Sequence, residues 1–354
     1  MDFTFEEDQT MLVDSMHKFL MNEVSPELIR ELWSRPSGRS PDLWRQLAGQ
    51  GLTGLSVPAA QGGMGLGDID WVLLARECGY YGLPAPLLES SWVAAALIAV
   101  LPDSGWRNQT LAGIAEGTIR VALGHAHSPL IADADQANTI LLVRAGRLYA
   151  VPSNHVALTL QASVDPSRRL FSVSWECDER QCVSEAADAL CDEAFHRGVL
   201  ACAAQLLGLT QRMLDLTIDY AVQRKQFGKP IGAYQAVKHH LADIAVKLEF
   251  ARPVVYRAAH AMAHGEPLRA VHVAHAKIAA AEAAQLAARH AIQVHGAMGY
   301  TWEVDLQIFM KMAWALDAAW GDRSVHLARV RAHVLESGAT LGPACTFEEQ
   351  HETN

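Results

Sequence analysis

Three long stretches in the second half of the chain limit the fold most: ADALCDEAFHRGVLACAAQLLGLTQRMLDLTIDYAVQR, YQAVKHHLADIAVKLEFARPVVYRAAHAMAHG and LRAVHVAHAKIAAAEAAQLAARHAIQV. They are rich in Ala, Leu and Arg, and in the second, Val237, Leu241, Ile244, Leu248 and Ala251 recur at helical spacing on one face. Helices of this length, met in succession, build an antiparallel bundle. The apolar faces left over then need partners, which favours an oligomer. With 354 residues, 50% of them hydrophobic, the chain has room for a sizeable core and about two or three domains.

The rest divides around this bundle. Residues 1–100 show helical periodicity in Met11, Met16 and Phe19, in Leu43, Leu47 and Leu52, and in Leu73, Leu74, Leu97 and Ile98. Between them, GLTGLSVPAAQGGMGLGD breaks the pattern, and its glycines suit a loop that approaches something closely. Residues 101–185 change to short β-prone runs, VALGHA, TILLVRAGRLYAV and LFSVSWE, the last alternating Phe171, Val173 and Trp175 with polar or smaller neighbours. The predicted architecture is therefore mainly α with a small β domain. It comprises an N-terminal helical domain (1–100), a reduced middle β domain (101–185), a C-terminal helical bundle (186–340) and a tail (341–354).

Several function classes are excluded. A net charge of −10 argues against nucleic acid or an anionic membrane as partner of the bulk surface. No apolar run reaches the roughly 20 residues of a membrane span, and MDFTFEEDQ lacks the pattern of a secretory signal, so a cytoplasmic location is expected. The six cysteines show no paired metal-site spacing. Histidine pairs such as His239 and His240, His260 and His264, or His272 and His275 have no acidic or Cys ligand beside them in the sequence, and no metal site is expected. Ser174 and Ser184 lack a nucleophile setting. Arg168 and Arg169 could meet a phosphate or form a surface pair.

Two patches follow long helices. In RKQFGKPIGAYQ, Gly228 and Pro230 end the first helix, leaving Arg224 as a fork-shaped donor for a phosphate or carboxylate, Gln226 as a polar contact and Phe227 as an apolar face. Local physics alone favours the alternative, a helix-capping Arg with Phe227 in the core. In QVHGAMGYTWEVD, Gly296 and Gly299 leave backbone amides open beside Gln293 and His295. Two such patches suggest one extended, phosphate-bearing ligand.

RKQFGKPIGAYQ, QVHGAMGYTWE and VPAAQGGMGLGD, with their spacing, resemble the acyl-CoA dehydrogenases across nearly the whole chain. The resemblance implies a dimer of dimers with FAD at subunit interfaces. A carboxylate then removes the α-proton of an acyl-CoA while hydride leaves the β-carbon for the flavin, and an electron-accepting flavoprotein follows. It further implies that Arg224, Gln226, Phe227 and Gln235, with Gln293, Gly296 and Ala297, reach across an interface to the pyrophosphate and adenine end of a neighbour's FAD.

The departures from the family lie elsewhere. Where most members carry the catalytic Glu, this chain has Ala319, Trp320, Gly321 and Asp322, with Trp320 at the base position; the alternative base position falls on Gly198. Asp322 could be a displaced base or the N-cap of SVHLARVRAHVLE. The segments that hold the flavin ring have no counterpart in VALGHAHSPLIADADQ or QASVDPSRRLFSV. This pattern, with no catalytic residue of its own, resembles the smaller, base-lacking subunit of α2β2 acyl-CoA dehydrogenases acting on steroid-type CoA thioesters, whose partner supplies the Glu. Two alternatives stay open: a self-sufficient homotetramer with a relocated base, and a flavin-free helical interaction protein.

Overall fold

The computed structural model describes residues 4–336; the tail expected at 341–354 lies outside them. In chain order the helices and strands are α1 (Glu7–Glu23), α2 (Pro26–Ser34), α3 (Pro41–Gly49), α4 (Asp68–Tyr81), a π-turn (Leu88–Ala94) continued by α5 (Ala95–Ala99), and α6 (Gly105–Ala115). The strands β1 (Val121–Leu123), β2 (Leu130–Ala132), β3 (Thr139–Arg144), β4 (Arg147–Pro152), β5 (Val156–Gln161), β6 (Leu170–Trp175) and β7 (Cys182–Ser184) follow. Then come α7 (Asp188–Gln223), the short strands β8 (Lys225–Gln226) and β9 (Lys229–Pro230), α8 (Gln235–Ala263), α9 (Arg269–His295), α10 (Leu306–Asp317) and α11 (Arg323–Val334). No described helix is long and apolar enough to cross a membrane.

The chain falls into two compact units, one of the described residues of Met1–Pro26, Asp68–Leu83 and Val199–Asn354, the other of Glu27–Gly67 and Pro84–Gly198. In the first unit the face of α8 noted above becomes more buried along the helix: Val237 and Leu241 are half-buried, Ile244, Leu248 and Ala251 buried. α9 is so rich in alanine that it packs close on both sides, with Ala276, Ala280, Ala283, Ala287 and Ala291 all buried. α4 joins this bundle through a backbone-to-backbone crossing. A Cβ on Gly208 would lie 1.9 Å from Arg76 O, and one on Gly79 would lie 2.1 Å from Gln205 O, so both positions demand glycine.

The middle segment forms two sheets rather than one. The first runs β1-β3-β4-β7, with β1 parallel to β3; the second runs β2-β6-β5 and is antiparallel throughout. Ile131, Ile140, Tyr149, Val151 and Phe171 are buried together, with Val173 and Trp175 against them, as the alternation in LFSVSW requires. β2 and β7 have three residues each, too few for a period to show in sequence. The glycine-rich loop after α3 approaches its own chain: a Cβ on Gly63 would sit 2.0 Å from Val57 O, and Met64, Gly65 and Leu66 N–H groups donate back to Gly54, Val57 and Leu55.

Candidate cofactor site at the helix ends

α7 stops at Gln223, where the Arg224 N–H still donates to Tyr220 O at 2.8 Å. The chain then makes a two-residue hairpin, pairing Lys225 with Pro230 and Gln226 with Lys229. Phe227 (φ 52°) and Gly228 (φ 80°) both take positive φ, as a hairpin turn matched to the strand twist requires. Glycine adopts this freely; a phenylalanine does so at a cost of roughly 1–2 kcal/mol. The ring gains little burial in return, being 92% exposed, with only an edge-on approach to Tyr234 at 6.5 Å. The core alternative for Phe227 is therefore excluded. The hairpin itself is braced: Tyr234 OH donates to Gln226 O (3.2 Å), Lys229 Nζ lies 4.3 Å from the Tyr234 ring, and Ile231 N–H donates to Arg224 O. Arg224, Gln226 and Gln235, which opens α8, are exposed, and their side chains form no hydrogen bond or ion pair among the described residues.

The second patch ends α9 beside the first. The Tyr220 ring stacks on His295 at 4.2 Å and its hydroxyl donates to His295 O at 3.4 Å, which joins the ends of α7 and α9. His295 is buried rather than offered outward; burial lowers its pKa, and its Nδ1–H donates to Ala291 O. Gly299 is likewise buried, with room for a Cβ only 3.2 Å from His295 Cβ, so its amide is not open as the sequence suggested. Gly296 (φ 60°), Gln293 and Ala297 are exposed, and no described atom lies within 4 Å of a Cβ placed on Gly296. The structure thus gathers one guanidinium, three side-chain amides and an open glycine backbone on adjoining helix ends, with no carboxylate in the set. Such donors fit a phosphate-bearing ligand, and they fit the pyrophosphate and adenine of FAD. Exposed Phe227, Tyr300 (79%) and Trp302 (64%) on the same two turns are large apolar surfaces of the kind that partner contacts cover.

The turn between α10 and α11 has the opposite character. Lys277, in the middle of α9 and 2% exposed, donates to Leu316 O (2.7 Å), Asp317 O (3.2 Å) and Ala319 O (2.8 Å), the carbonyls that end α10. A helix C-terminus is the negative end of the helix dipole, so a buried ammonium is stabilised there without a carboxylate. The Trp320 backbone is held at φ 56° with the residue 6% exposed, and His326 Nε2–H donates to Trp320 O at 3.0 Å. Asp322 caps α11: its Oδ1 accepts from Ser324 N–H (2.9 Å), Ser324 Oγ (2.6 Å) and Val325 N–H (3.1 Å). These donors, the Ser324 hydroxyl foremost, lower its pKa, which stabilises the carboxylate and weakens it as a base. Gly198 is buried within α7. Neither base position holds a proton acceptor, and the nearby carboxylate is engaged as a cap.

In the second unit the sequence reading missed a cleft of about 570 Å³, walled by residues 124–129 with Ile131, Val143, Val173 and Phe195. The His125 and His127 rings lie 5.5 and 4.6 Å from the Phe195 ring, and burial lowers the His125 pKa to about 4, keeping it neutral. The HAH triplet was its only trace in the sequence. Arg169 is not free to meet a phosphate: its guanidinium donates to Asp135 at 2.6 and 3.0 Å.

Residues 6–118 match the acyl-CoA dehydrogenase N-terminal domain and residues 189–335 the acyl-CoA dehydrogenase C-terminal domain. The chain is 31% identical to acyl-CoA dehydrogenase IpdE2 of Mycobacterium tuberculosis, over 94% of this chain and 98% of that protein. It is 30% identical to acyl-CoA dehydrogenase IpdE2 of Mycolicibacterium smegmatis, over 93% and 99% respectively. Among solved structures it is similar to a chain of the ChsE4-ChsE5 complex from Mycobacterium tuberculosis, with a TM-score of 0.84 and 25% identity, covering 96% of this chain and 100% of that one.

Proposed function

The chain belongs to the acyl-CoA dehydrogenase family, and on that premise we propose that it is the base-lacking subunit of a mixed oligomer. It contributes the outward-reaching half of an FAD site, and a homologous partner carries the catalytic Glu in an α2β2 assembly. The observation that carries this reading is the contrast within one unit: Arg224, Gln226, Gln235 and Gln293 stand exposed without partners among the described residues, whereas Trp320 and Asp322 are held in a closed turn. The similar solved chain comes from a ChsE4-ChsE5 complex, which supports the mixed assembly.

FAD, when bound, accepts the hydride from the β-carbon of the acyl-CoA. This chain's part is to hold the cofactor. Arg224 neutralises pyrophosphate charge, Gln226, Gln235 and Gln293 offer amide hydrogen bonds, Gly296 and Ala297 admit close backbone approach, and Phe227 supplies an apolar face. The α-proton goes to the partner's carboxylate, because a positioned base is worth typically 10²–10⁴-fold and this chain positions none. The substrate class is an acyl-CoA thioester of steroid-side-chain type, the electron acceptor a flavoprotein, and the setting the cytoplasm. In this reading segments 1–100, 101–185 and 186–340 serve as the helical, β and bundle domains of the shared fold.

Turnover in a co-expressed complex tests the assignment. Asp322→Asn keeps an acceptor for the Ser324 and Val325 N–H groups, and turnover stays within a few-fold; replacing the partner's Glu abolishes it. Collapse of turnover on Asp322→Asn, with flavin bound and the fold intact, would make this chain the catalytic one.

A further inference from the structure

The sequence places Asp243 three residues after His240 on α8, and the fold adds a third candidate ligand from α9. His240 and Asp243 lie one turn apart near the start of α8, and His290 arrives from the end of α9; one ligand atom from each lies within 4.8 Å of the other two. His290 Nδ1 is 3.1 Å from His240 O. A carbonyl only accepts, so Nδ1 carries the proton and Nε2 is left with a bare lone pair, the arrangement that fixes the tautomer of a metal-binding histidine. The two rings meet edge to face at 4.6 Å. His240 Nδ1 is buried and has no hydrogen-bond partner among the described residues. A buried polar atom without a partner is unfavourable, and a metal ion at this position relieves that cost. The Asp243 carboxylate forms no ion pair with Lys or Arg among the described residues, and His290 Nδ1 lies 3.9 Å from it.

We propose that His240, Asp243 and His290 form a site for a divalent transition ion, Zn²⁺ or a metal of similar preference, that clips the start of α8 to the end of α9. Two imidazoles and one carboxylate suit such an ion and not Mg²⁺ or Ca²⁺, which take oxygen shells. Three protein ligands leave a position for water or for a group from another chain. His290 precedes Gln293 by one turn and His240 follows Gln235 by five residues. The ion therefore fixes the relative placement of the two helix ends that carry candidate cofactor residues.

The full-length chain, stripped of metal by chelator, is titrated with Zn²⁺ by calorimetry and with Co²⁺ by visible absorption. About one equivalent binds, and Co²⁺ develops the d–d bands of a low-symmetry nitrogen and oxygen site. Asp243→Asn and His290→Gln each weaken binding at least tenfold, the lower range of what even outer-shell losses cost. His264→Gln, in the separate His260–His264 stack (3.9 Å), leaves binding unchanged. Asp243 is exposed, so its variant folds, and that measurement decides. Absence of stoichiometric binding, affinity unmoved by Asp243→Asn, or loss of binding on His264→Gln overturns the site.

Discussion

Two turns of the same unit, the hairpin after α7 and the turn after α10, differ in where their polar groups point. After α7, a braced hairpin holds a phenylalanine at positive φ, 92% exposed, beside a guanidinium that no described residue engages. After α10, a tryptophan is also held at positive φ, but it is 6% exposed, and the groups around it are satisfied from inside by Lys277, His326 and the Asp322 cap. Backbone strain of similar kind therefore serves opposite ends. In the first turn it presents side chains to something beyond the chain; in the second it closes the turn at which the sequence resemblance would place a base. The lesson is that an unusual φ marks a constrained position, and the partners of the neighbouring polar atoms tell whether the constraint faces outward or inward.

If the second turn is structural, breaking it costs stability and little else. Lys277→Met leaves the carbonyls of Asp317 and Ala319 without their Lys277 donor, at about 1–3 kcal/mol per unsatisfied group, while Leu316 O keeps the Ala319 N–H and the Cys202 thiol. The expected loss in urea unfolding is at least about 2 kcal/mol. A loss below about 1 kcal/mol would show that the turn holds itself.

His326 sharpens the same point through pH. It is 1% exposed, and burial, with Lys277 nearby, lowers its pKa from 6.5 to about 4. The native chain keeps the ring neutral while the unfolded chain takes up a proton below about 6.5, so the contribution is intact above that pH and is lost as pH falls toward 4. Across that window the loss is on the order of 3 kcal/mol. His326→Gln should be less stable than the parent at pH 7 and show a shallower decline on acidification. Parallel pH curves for the two proteins would contradict the assignment.

The first turn should behave in reverse. Arg224→Ala removes a charge-assisted bond worth about 1.5–3 kcal/mol, so FAD held by the mixed complex weakens roughly 10- to 150-fold. The thermal midpoint of the chain stays unchanged, because Arg224 is exposed and engages no described side chain. Unaltered flavin affinity by titration would reduce Arg224 to a helix-end residue.

The sequence made the α-helical elements legible where periodicity ran long. Met16, Leu43, Leu47, Leu73, Leu74, Leu97 and Ile98 are all buried as their spacing required, whereas Met11, first in its series, is 61% exposed at the edge of α1. The hairpin was legible in part, since Gly228 and Pro230 announced the end of α7, but the positive φ of Phe227 had no sign of its own. Lys277 was missed because a lone lysine among alanines reads as solvent-facing; its role depends on carbonyls about forty residues onward. His240, Asp243 and His290 were separated for the same reason, as two helices must pack before the three meet. In the middle segment the recognisable flavin-ring residues were absent, and the cleft beside His125 and His127 arises from strands too short to carry a pattern.

Flavin content per chain tests the central claim most directly, namely that this chain supplies one half of a shared site. Purified alone, the chain is predicted to carry little FAD; co-expressed with a homologue bearing the catalytic Glu, the complex should hold close to one FAD per pair of chains, measured by absorbance against protein mass. Full flavin occupancy in the isolated chain would contradict the account and favour a self-sufficient homo-oligomer.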